Sequence, residues 1–420
     1  MWTRVLLLVM VIALASCQGG ASVTGDNTEQ QKSATVDSLD TDLVSANTQF
    51  AMRLFGEVAT PNPTENAFIS PPSVAVALAM TYNGADGETQ QAMAQTLNIE
   101  NFELEKLNSS YADLLALLEH PDTAVELSIA NSLWARQGLP FRDEFLERNT
   151  ESYSARIEQL DFNSPDAAST INGWVNDQTR GKINKIVPDP ISSELIMFLI
   201  NAIYFKGTWS VEFDDSLTEE RMFTVGDGSH IQHPLMYKTD TLPYFDGGTF
   251  QSVSVPYGSG RLSMYIFLPN RDSDLPSLLA QLNTENWDEW MGNYRELEGD
   301  LTLPRFRVEY DVKLNDALTA LGMGVAFDPN AANFSRMFPV TAAQNVYISA
   351  VKHKTFVEVN EQGTEAAAVT SVEMGITSFD PNQPERFVLT VDRPFLFAIR
   401  DNQTGIVLFM GAIVDPSAEG

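Results

Sequence analysis

One uninterrupted apolar run, LIMFLINAIYF at residues 195–205, constrains the fold of this chain more than any other segment. The run is too short to cross a bilayer comfortably, and it is rich in β-branched and aromatic residues. These features are typical of a strand that is buried on both faces of a sheet. The chain has 420 residues, of which 44% are hydrophobic, and this is ample for the packed core that such a strand requires.

Helical and strand patterns share the rest of the chain, with no internal repeat and no second linker. Apolar residues at helical spacing predict helices at residues 43–58, 73–82, 88–97, 102–118, 141–153, 166–179, 274–282 and 312–321. Alternation and turn signals predict strands at residues 125–134, 347–359, 387–391, 395–399 and 406–413, with several short strands within 221–268. The expected fold class is α+β, with a single large domain at residues 41–420.

Residues 361–378, EQGTEAAAVTSVEMGITS, separate into two faces by parity. The even-numbered residues from Thr364 to Ile376 carry no charge, whereas the odd-numbered residues include Glu365 and Glu373. This period of two predicts a strand with one face suited to a core and the other to water. The uncharged face begins with small residues, so the segment could enter a crowded sheet without steric conflict. Taken alone, the pattern fits an ordinary edge strand or an alanine-rich loop more simply.

The N-terminus is typical of an export signal. Arg4 precedes an apolar stretch at residues 5–14, and residues 14–17 (LASC) resemble the bacterial lipobox, in which the chain is cut before a cysteine that is then lipidated. We therefore predict a lipoprotein signal peptide at residues 1–16, lipidation of Cys17 and a flexible polar tether at residues 17–40. A conventional secretory signal with a chance cysteine is the alternative. The expected location is the outer membrane or surface of a bacterial cell, or otherwise the secreted fraction.

Charge and composition exclude several function classes. The net charge of −30 argues against binding to nucleic acid and against adsorption to anionic lipid. The single cysteine allows no intrachain disulfide. His230 and His233 have an H-x-x-H spacing, but Pro234 argues against a helix there, so we interpret both as surface histidines. No recognised nucleophile elbow, zinc-protease helix or phosphate-binding loop occurs, so we expect neither an enzyme nor a metal or cofactor site.

Six separated segments, in order, carry a resemblance to a known family. They are residues 66–80 (NAFISPPSVAVALAM), 171–182 (INGWVNDQTRGK), 201–209 (NAIYFKGTW), 353–370 (HKTFVEVNEQGTEAAAVT), 392–397 (DRPFLF) and 409–416 (FMGAIVDP). Together they resemble the serpin family of serine protease inhibitors. The resemblance implies three β-sheets, about nine helices, a metastable native state and an exposed reactive-centre loop at about residues 361–385.

The resemblance also implies suicide inhibition. A target protease attacks the loop and forms an acyl-enzyme, and the cut loop then inserts into the main sheet as a new strand, dragging the protease with it. The residues that match the family's hinge are Glu361, Gly363, Thr364, Glu365, Ala366, Ala367 and Ala368. Neither a proline nor a charge interrupts the face that would be buried, which favours inhibition. The alternative is a non-inhibitory serpin acting as a surface lipoprotein that binds a ligand or partner.

Further residues match a polar cluster beneath the sheet and a tryptophan at its top. The cluster comprises Ser70, Ser73, Asn201 and His353, and the tryptophan is Trp209. The resemblance implies that they control opening of the sheet. The simpler interpretation is that they only satisfy buried polar groups, and the two interpretations are compatible.

Counting from the hinge places the scissile bond at Thr377–Ser378, with Ile376 and Phe379 as alternatives. Residues 364–385 contain no lysine or arginine, so trypsin-like targets are disfavoured and elastase-like or subtilisin-like serine proteases are expected. Phe379 would suit a chymotrypsin-like protease, and cysteine proteases are a further alternative. Helix 102–118 contains Lys106 as its only basic residue, so no heparin-type cofactor is expected. A monomer is expected, with the membrane reached only through the lipid anchor.

Overall fold

The computed structural model of this chain describes residues 36, 39–119, 121–192, 194–339, 345–364 and 385–418. Its helices are α1 (Thr41–Ala59), α2 (Pro71–Tyr82), α3 (Gly87–Leu97), α4 (Leu104–Glu119), α5 (Asp143–Tyr153), α6 (Ala167–Gln178), α7 (Leu275–Leu279), α8 (Thr284–Gly292) and α9 (Asn315–Leu318). Its strands are β1 (Ala67–Ile69), β2 (Val125–Arg136), β3 (Arg156–Leu160), β4 (Met197–Thr208), β5 (Glu219–Thr224), β6 (His230–Asp246), β7 (Phe250–Tyr257), β8 (Leu262–Pro269), β9 (Arg295–Pro304), β10 (Phe306–Lys313), β11 (Ala350–Asn360), β12 (Gly363–Thr364), β13 (Phe387–Thr390), β14 (Phe395–Asp401) and β15 (Val407–Ile413).

The apolar run at residues 195–205 forms most of β4, which lies inside a six-stranded sheet of order β10-β11-β12-β4-β2-β3. Its side chains alternate between two separate cores. Leu199 and Ile203 pack in the main core, whereas Phe198 and Ile200 pack in a second core beneath α6. The prediction of a strand buried on both faces is therefore confirmed.

The remaining strands form a nine-stranded sheet of order β1-β15-β14-β8-β7-β6-β9-β13, with β5 paired to β6. Three sheets were expected, but the described residues form two hydrogen-bonded sheets. The reason is the length of β6, which spans 17 residues. Its first part pairs with β5 and its last residues, Tyr244–Asp246, pair with β7, so one strand joins two ladders.

Helix α2 lies in the centre of the molecule between the two sheets. Its sequence, PPSVAVALAMTY, is apolar on all sides, and every residue from Pro71 to Thr81 is buried. Two prolines in its first turn are compatible with a helix start, because the first backbone N–H groups have no intrahelical acceptor. A helix of this composition is stable only when it is packed on all sides. It contacts α1, β4 and β15, and its first residue follows Ser70.

Several boundaries differ from the predictions. The helix predicted at residues 312–321 begins later, because β10 extends to Lys313; Asn315–Leu318 is α-helical, and a π-helical stretch at Thr319–Met323 continues it. Helix α8 and strands β1, β3, β9 and β10 were not predicted. No helix among the described residues is long and apolar enough to cross a membrane.

A close approach at Gly299 provides a test of the packing around β13. A Cβ atom at Gly299 would lie 2.2 Å from the ring of Phe387, which stacks on Tyr244 with a centroid distance of 5.1 Å. Gly299→Ala should therefore lower the free energy of unfolding by ~1–3 kcal/mol through overpacking. Gly173→Ala, in α6, is the matched control, because nothing lies within 4 Å of its Cβ position. Denaturant unfolding measures both variants, and equal stability of the two would contradict this packing.

Candidate functional site

Strand β12 forms a wedge between the two central strands of the six-stranded sheet. β4 and β11 pair directly and in parallel from Phe198 and Ala350 up to Tyr204 and Phe356. Beyond that point, Thr364 pairs antiparallel with both Gly207 and Val359. The chain therefore already separates the ends of β4 and β11 at the start of the predicted loop.

The structure describes only the first part of that loop. Glu361, Gly363 and Thr364 are described, whereas the hinge residues Glu365, Ala366, Ala367 and Ala368 lie outside the described residues. The candidates for the scissile bond, Ile376, Thr377, Ser378 and Phe379, also lie outside them, as does Cys17.

Glycine is the residue type that fits position 363 in the wedge. Its φ of +148° lies in a region that residues with a Cβ rarely adopt. A Cβ atom there would also lie 2.1 Å from the carbonyl oxygen of Gly207. The absence of a side chain therefore allows the hinge backbone to pass next to β4.

Two stacked aromatic rings, Trp209 and Tyr257, contact the hinge. The Tyr257 hydroxyl lies 2.7 Å from Thr364 Oγ1, and Thr364 is completely buried. The Tyr257 ring stacks on Trp209 with a centroid distance of 4.4 Å and occupies the space next to Gly207, where a Cβ would lie 2.8 Å from the ring. Trp209 donates hydrogen bonds to two hinge carbonyls, Asn360 O from Nε1 and Gln362 O from its backbone N–H, both at 3.0 Å.

A buried carboxylate anchors the hinge on its other side. The Glu361 side chain is only 2% exposed and forms an ion pair with Arg305 at 2.5 Å. Arg305 Nε also donates to Glu361 Oε1 at 2.7 Å, and Thr218 Oγ1 donates at 2.5 Å. The Glu361 carbonyl accepts a further hydrogen bond from the Phe213 N–H. The buried charge is therefore compensated, and loss of Arg305 would leave the Glu361 carboxylate buried without its cation.

The predicted polar cluster lies deeper, between the sheet and the start of α2. The Ser70 N–H donates to His353 Nε2 at 3.0 Å, so Nε2 has no proton and Nδ1 carries it. Nδ1 lies 2.5 Å from Asn201 Oδ1, and the Asn201 amide donates to Ser73 Oγ. These bonds join α2 to both central strands, because His353 and Asn201 are opposite each other in the β4–β11 register.

The cluster contains one residue that was not identified from the sequence. Trp209 lies apart from the cluster, beyond the end of β4 and ~26 Å from Asn201 by strand rise. Asn131 belongs to the cluster but was not identified, and its Oδ1 accepts from Asn201 Nδ2 at 2.6 Å. The signal was present in the sequence, because an asparagine stands between the apolar residues of a predicted strand. Only the pairing of β2 with β4 shows that Asn131 lies opposite Asn201.

The two histidines of the H-x-x-H segment lie on β6 and have different partners. His230 Nδ1 lies 3.2 Å from Thr224 Oγ1, and His233 Nε2 lies 2.6 Å from the Arg305 carbonyl. Residues three apart on a strand point to opposite faces, so this spacing does not bring the two imidazoles together.

The burial of His353 predicts a pH-dependent stability. Burial lowers its pKa to about 3, so the folded chain keeps a neutral imidazole where the unfolded chain, with a pKa near 6.5, takes up a proton. The free energy of unfolding should therefore fall by up to about 1.4 kcal/mol per pH unit as the pH drops below ~6.5, until the pH reaches ~3.

Urea unfolding between pH 7.5 and 5.0 measures this slope, and His353→Gln is the comparison because it removes only this titration. The carboxylates contribute equally to the pH dependence of the free energy of unfolding in both proteins. The same slope in both would show that His353 is not the group responsible.

The comparisons with known proteins agree with this architecture. The model of the serpin family, described as serine protease inhibitors, matches residues 45–416. Leukocyte elastase inhibitor of Homo sapiens is 36% identical over 385 residues, covering 89% of this chain and 99% of that protein. A serpin-like protein of Thermococcus kodakarensis is 34% identical over 376 residues, covering 89% and 86%.

Solved structures give the same result. The thermophilic serpin tengpin in its native state superimposes with a TM-score of 0.83 at 32% identity, covering 90% of this chain and 95% of that one. Human thyroxine-binding globulin in complex with thyroxine has a TM-score of 0.80 at 27% identity, covering 90% and 99%. On the family match, the shared identity and the common fold, this chain belongs to the serpin family.

Proposed function

We propose that this serpin inhibits serine proteases by the suicide-substrate mechanism, in which loop cleavage is followed by insertion of the loop into the six-stranded sheet. The observation that carries the proposal is the wedge formed by β12. Gly363 and Thr364 already pair antiparallel with both β4 and β11, which is the pairing that an inserted strand requires. Insertion would extend an existing ladder.

The register of β12 defines the neighbours of every later residue. If the pairing of Thr364 with Gly207 and Val359 continues, Ala366 enters between Phe205 and Val357. The residue after next, Ala368, enters between Ile203 and Thr355. All four of these neighbours are fully buried in the described structure or nearly so. The small, uncharged residues of the even-numbered face therefore match the space available to them.

The same register brings Thr370 between Asn201 and His353. Insertion separates β4 from β11 by one additional strand, from about 4.8 to about 9.6 Å, and must break the hydrogen bond between those two side chains. A threonine hydroxyl both donates and accepts, so it can replace the lost partners of both. This supports a role of the polar cluster in opening the sheet.

The opposite face of the inserted strand is less free than the sequence suggested. Odd-numbered residues were expected to face water. In this register Glu373 comes next to Phe198 and Ala350, which are buried in the second core beneath α6. Complete insertion therefore requires α6 to shift, because a carboxylate cannot be buried there without a partner.

Chain length explains why insertion would wait for cleavage. A strand from Thr364 to Thr377 extends ~43 Å down the sheet. From the far end of that strand, residues 378–384 can span at most ~25 Å back towards β13. Glu385, just before β13, forms an ion pair with Arg295. While β13 stays paired with β9, the intact loop cannot insert completely.

The proposed scissile bond is Thr377–Ser378, with Ile376 and Phe379 as alternatives, and the proposed targets are elastase-like or subtilisin-like proteases. Two observations support this choice. Residues 364–385 contain no basic residue, and one relative at 36% identity is named leukocyte elastase inhibitor. The similarity to thyroxine-binding globulin supports the alternative of a ligand-binding, non-inhibitory serpin.

Incubation with a panel of elastase-like, subtilisin-like, chymotrypsin-like and trypsin-like proteases tests the function. We expect an SDS-stable complex with an elastase-like or subtilisin-like enzyme, and mass spectrometry of the released peptide identifies the bond. Thr364→Arg should turn the inhibitor into a substrate, because an arginine would have to be buried beneath Tyr257. If every protease cleaves the wild-type loop and is released in active form, the proposal is wrong and the ligand-binding alternative gains support.

We also propose that the chain is an exported bacterial lipoprotein anchored through Cys17. The lipobox-like residues 14–17 support this, and the family match begins only at residue 45, which leaves room for a tether. Expression of the full chain in a Gram-negative host should place the protein in the membrane fraction. Cys17→Ser should release it to a soluble fraction or block its processing, whereas an unchanged membrane fraction would refute lipidation.

A further inference from the structure

The segment that joins β4 to β5, residues 209–218, bonds directly to the turn at the hinge, residues 360–362, and we call this segment the strap. The Phe213 N–H donates to the Glu361 carbonyl at 2.8 Å, and Thr218 donates to the Glu361 carboxylate at 2.5 Å. The tryptophan at the start of the strap donates to the other two carbonyls of the turn. The strap therefore holds every carbonyl of the turn.

A buried lysine on β6 contacts the same strap. Lys238 is only 6% exposed, and its Nζ donates to the Val211 carbonyl at 2.9 Å. The same Nζ lies 4.9 Å from the centroid of the Phe213 ring, and it forms an ion pair with Asp240 at 3.1 Å. One ammonium group therefore contacts two residues of the strap, and one of these, Phe213, bonds to the hinge.

A lysine at this position has an energetic cost that a methionine would avoid. Burial lowers the pKa of Lys238, because the ammonium group has lost most of its water, and Asp240 only partly offsets this effect. Apolar side chains of similar volume often replace buried charges without loss of stability. The gain from the lysine is therefore one of geometry, because its N–H groups fix the position of the Val211 carbonyl and hence of the strap backbone.

The turn held by the strap is the closed end of a hairpin. β11 ends at Asn360 and β12 begins at Gly363, and the two strands pair across the turn. In the proposed insertion this hairpin lengthens while its turn stays in place, so the strap can keep its contacts throughout. The position of the turn then decides whether Thr364 continues between β4 and β11 in the correct register.

We propose that Lys238 is a positioning residue for loop insertion: it holds the strap, and the strap holds the turn from which the inserted strand extends. A turn that is held less firmly offers fewer productive starting arrangements, so insertion slows relative to hydrolysis of the acyl-enzyme. The inference rests on the proposed function and adds a determinant of its efficiency.

The first test measures how many inhibitor molecules are consumed for each molecule of pancreatic elastase that is trapped. Lys238→Met should raise this ratio about two- to ten-fold, the effect of losing one hydrogen bond. Lys238→Arg should keep a ratio near that of the wild type, because a guanidinium can still donate to the Val211 carbonyl. Lys313→Met is the matched control, since this exposed lysine ends β10 at the side farther from the hinge, and it should leave the ratio unchanged.

Hydrogen exchange in the intact protein tests the positioning without any protease. The Phe213 N–H is bonded to the Glu361 carbonyl, so its exchange rate reports how firmly the strap is held on the turn. Lys238→Met should speed exchange of this amide about two- to ten-fold and leave the amides of β15 unchanged. Unchanged exchange at Phe213 would overturn the inference, as would an increase shared by β15, which would show a general loss of stability.

The two measurements together separate this inference from the proposed function. If the wild-type protein traps no protease but Lys238→Met speeds exchange at Phe213 and not in β15, the proposed function fails and the role of Lys238 in holding the strap stands. If the wild-type protein traps protease and Lys238→Met leaves the consumption ratio unchanged, the inference fails and the proposed function stands. Faster exchange at Phe213 would not rescue the inference in that case, because the strap would then not govern insertion.

Discussion

The parallel hydrogen bonding between β4 and β11 is the interaction on which the rest of the structure depends. It joins residues Ala350–Phe356 of β11 to Phe198–Tyr204 of β4 in the middle of the six-stranded sheet. Both strands carry side chains into two cores, so the pairing cannot open without disturbing packing on both faces. Yet the same strands are already parted at Gly207 and Val359 by Thr364. The sheet therefore has one closed end and one open end, and any change in its pairing must begin at the open end.

Different kinds of interaction hold the two regions. The open end combines close packing with polar bonds: Gly363 and Gly207 have no side chains, Tyr257 and Trp209 fill the space around them, and Glu361 pairs with Arg305. The closed region depends on polar bonds, because His353 has a partner for each ring nitrogen. A buried polar network of this kind is sensitive to any displacement, since each group that loses its partner remains without water.

The sequence was sufficient for some of these features and insufficient for others, for physical reasons. The strand at residues 195–205 could be predicted because a run with no polar face can only be buried on both sides. Strand β9 was missed because its charged residues, in RELEGDLTLP, interrupt the alternation on which strand prediction relies. The wedge at β12 could not be predicted, because two residues have no period of their own and their register is set by partners far along the chain. The same is true of the Glu361–Arg305 pair, since both residues look like ordinary surface charges until the fold buries one of them.

The register ties these features into an order of events for the proposed insertion. Residues entering after Thr364 meet Phe205 and Val357 and then Ile203 and Thr355, and small side chains pass these neighbours with little polar rearrangement. Only after ~20 Å of strand does the advancing end reach Asn201 and His353, where a hydrogen bond must be exchanged. By then the new strand has formed backbone bonds to both neighbours over several residues. In the proposed insertion, the polar cluster would thus be opened by a strand that is already paired on both sides.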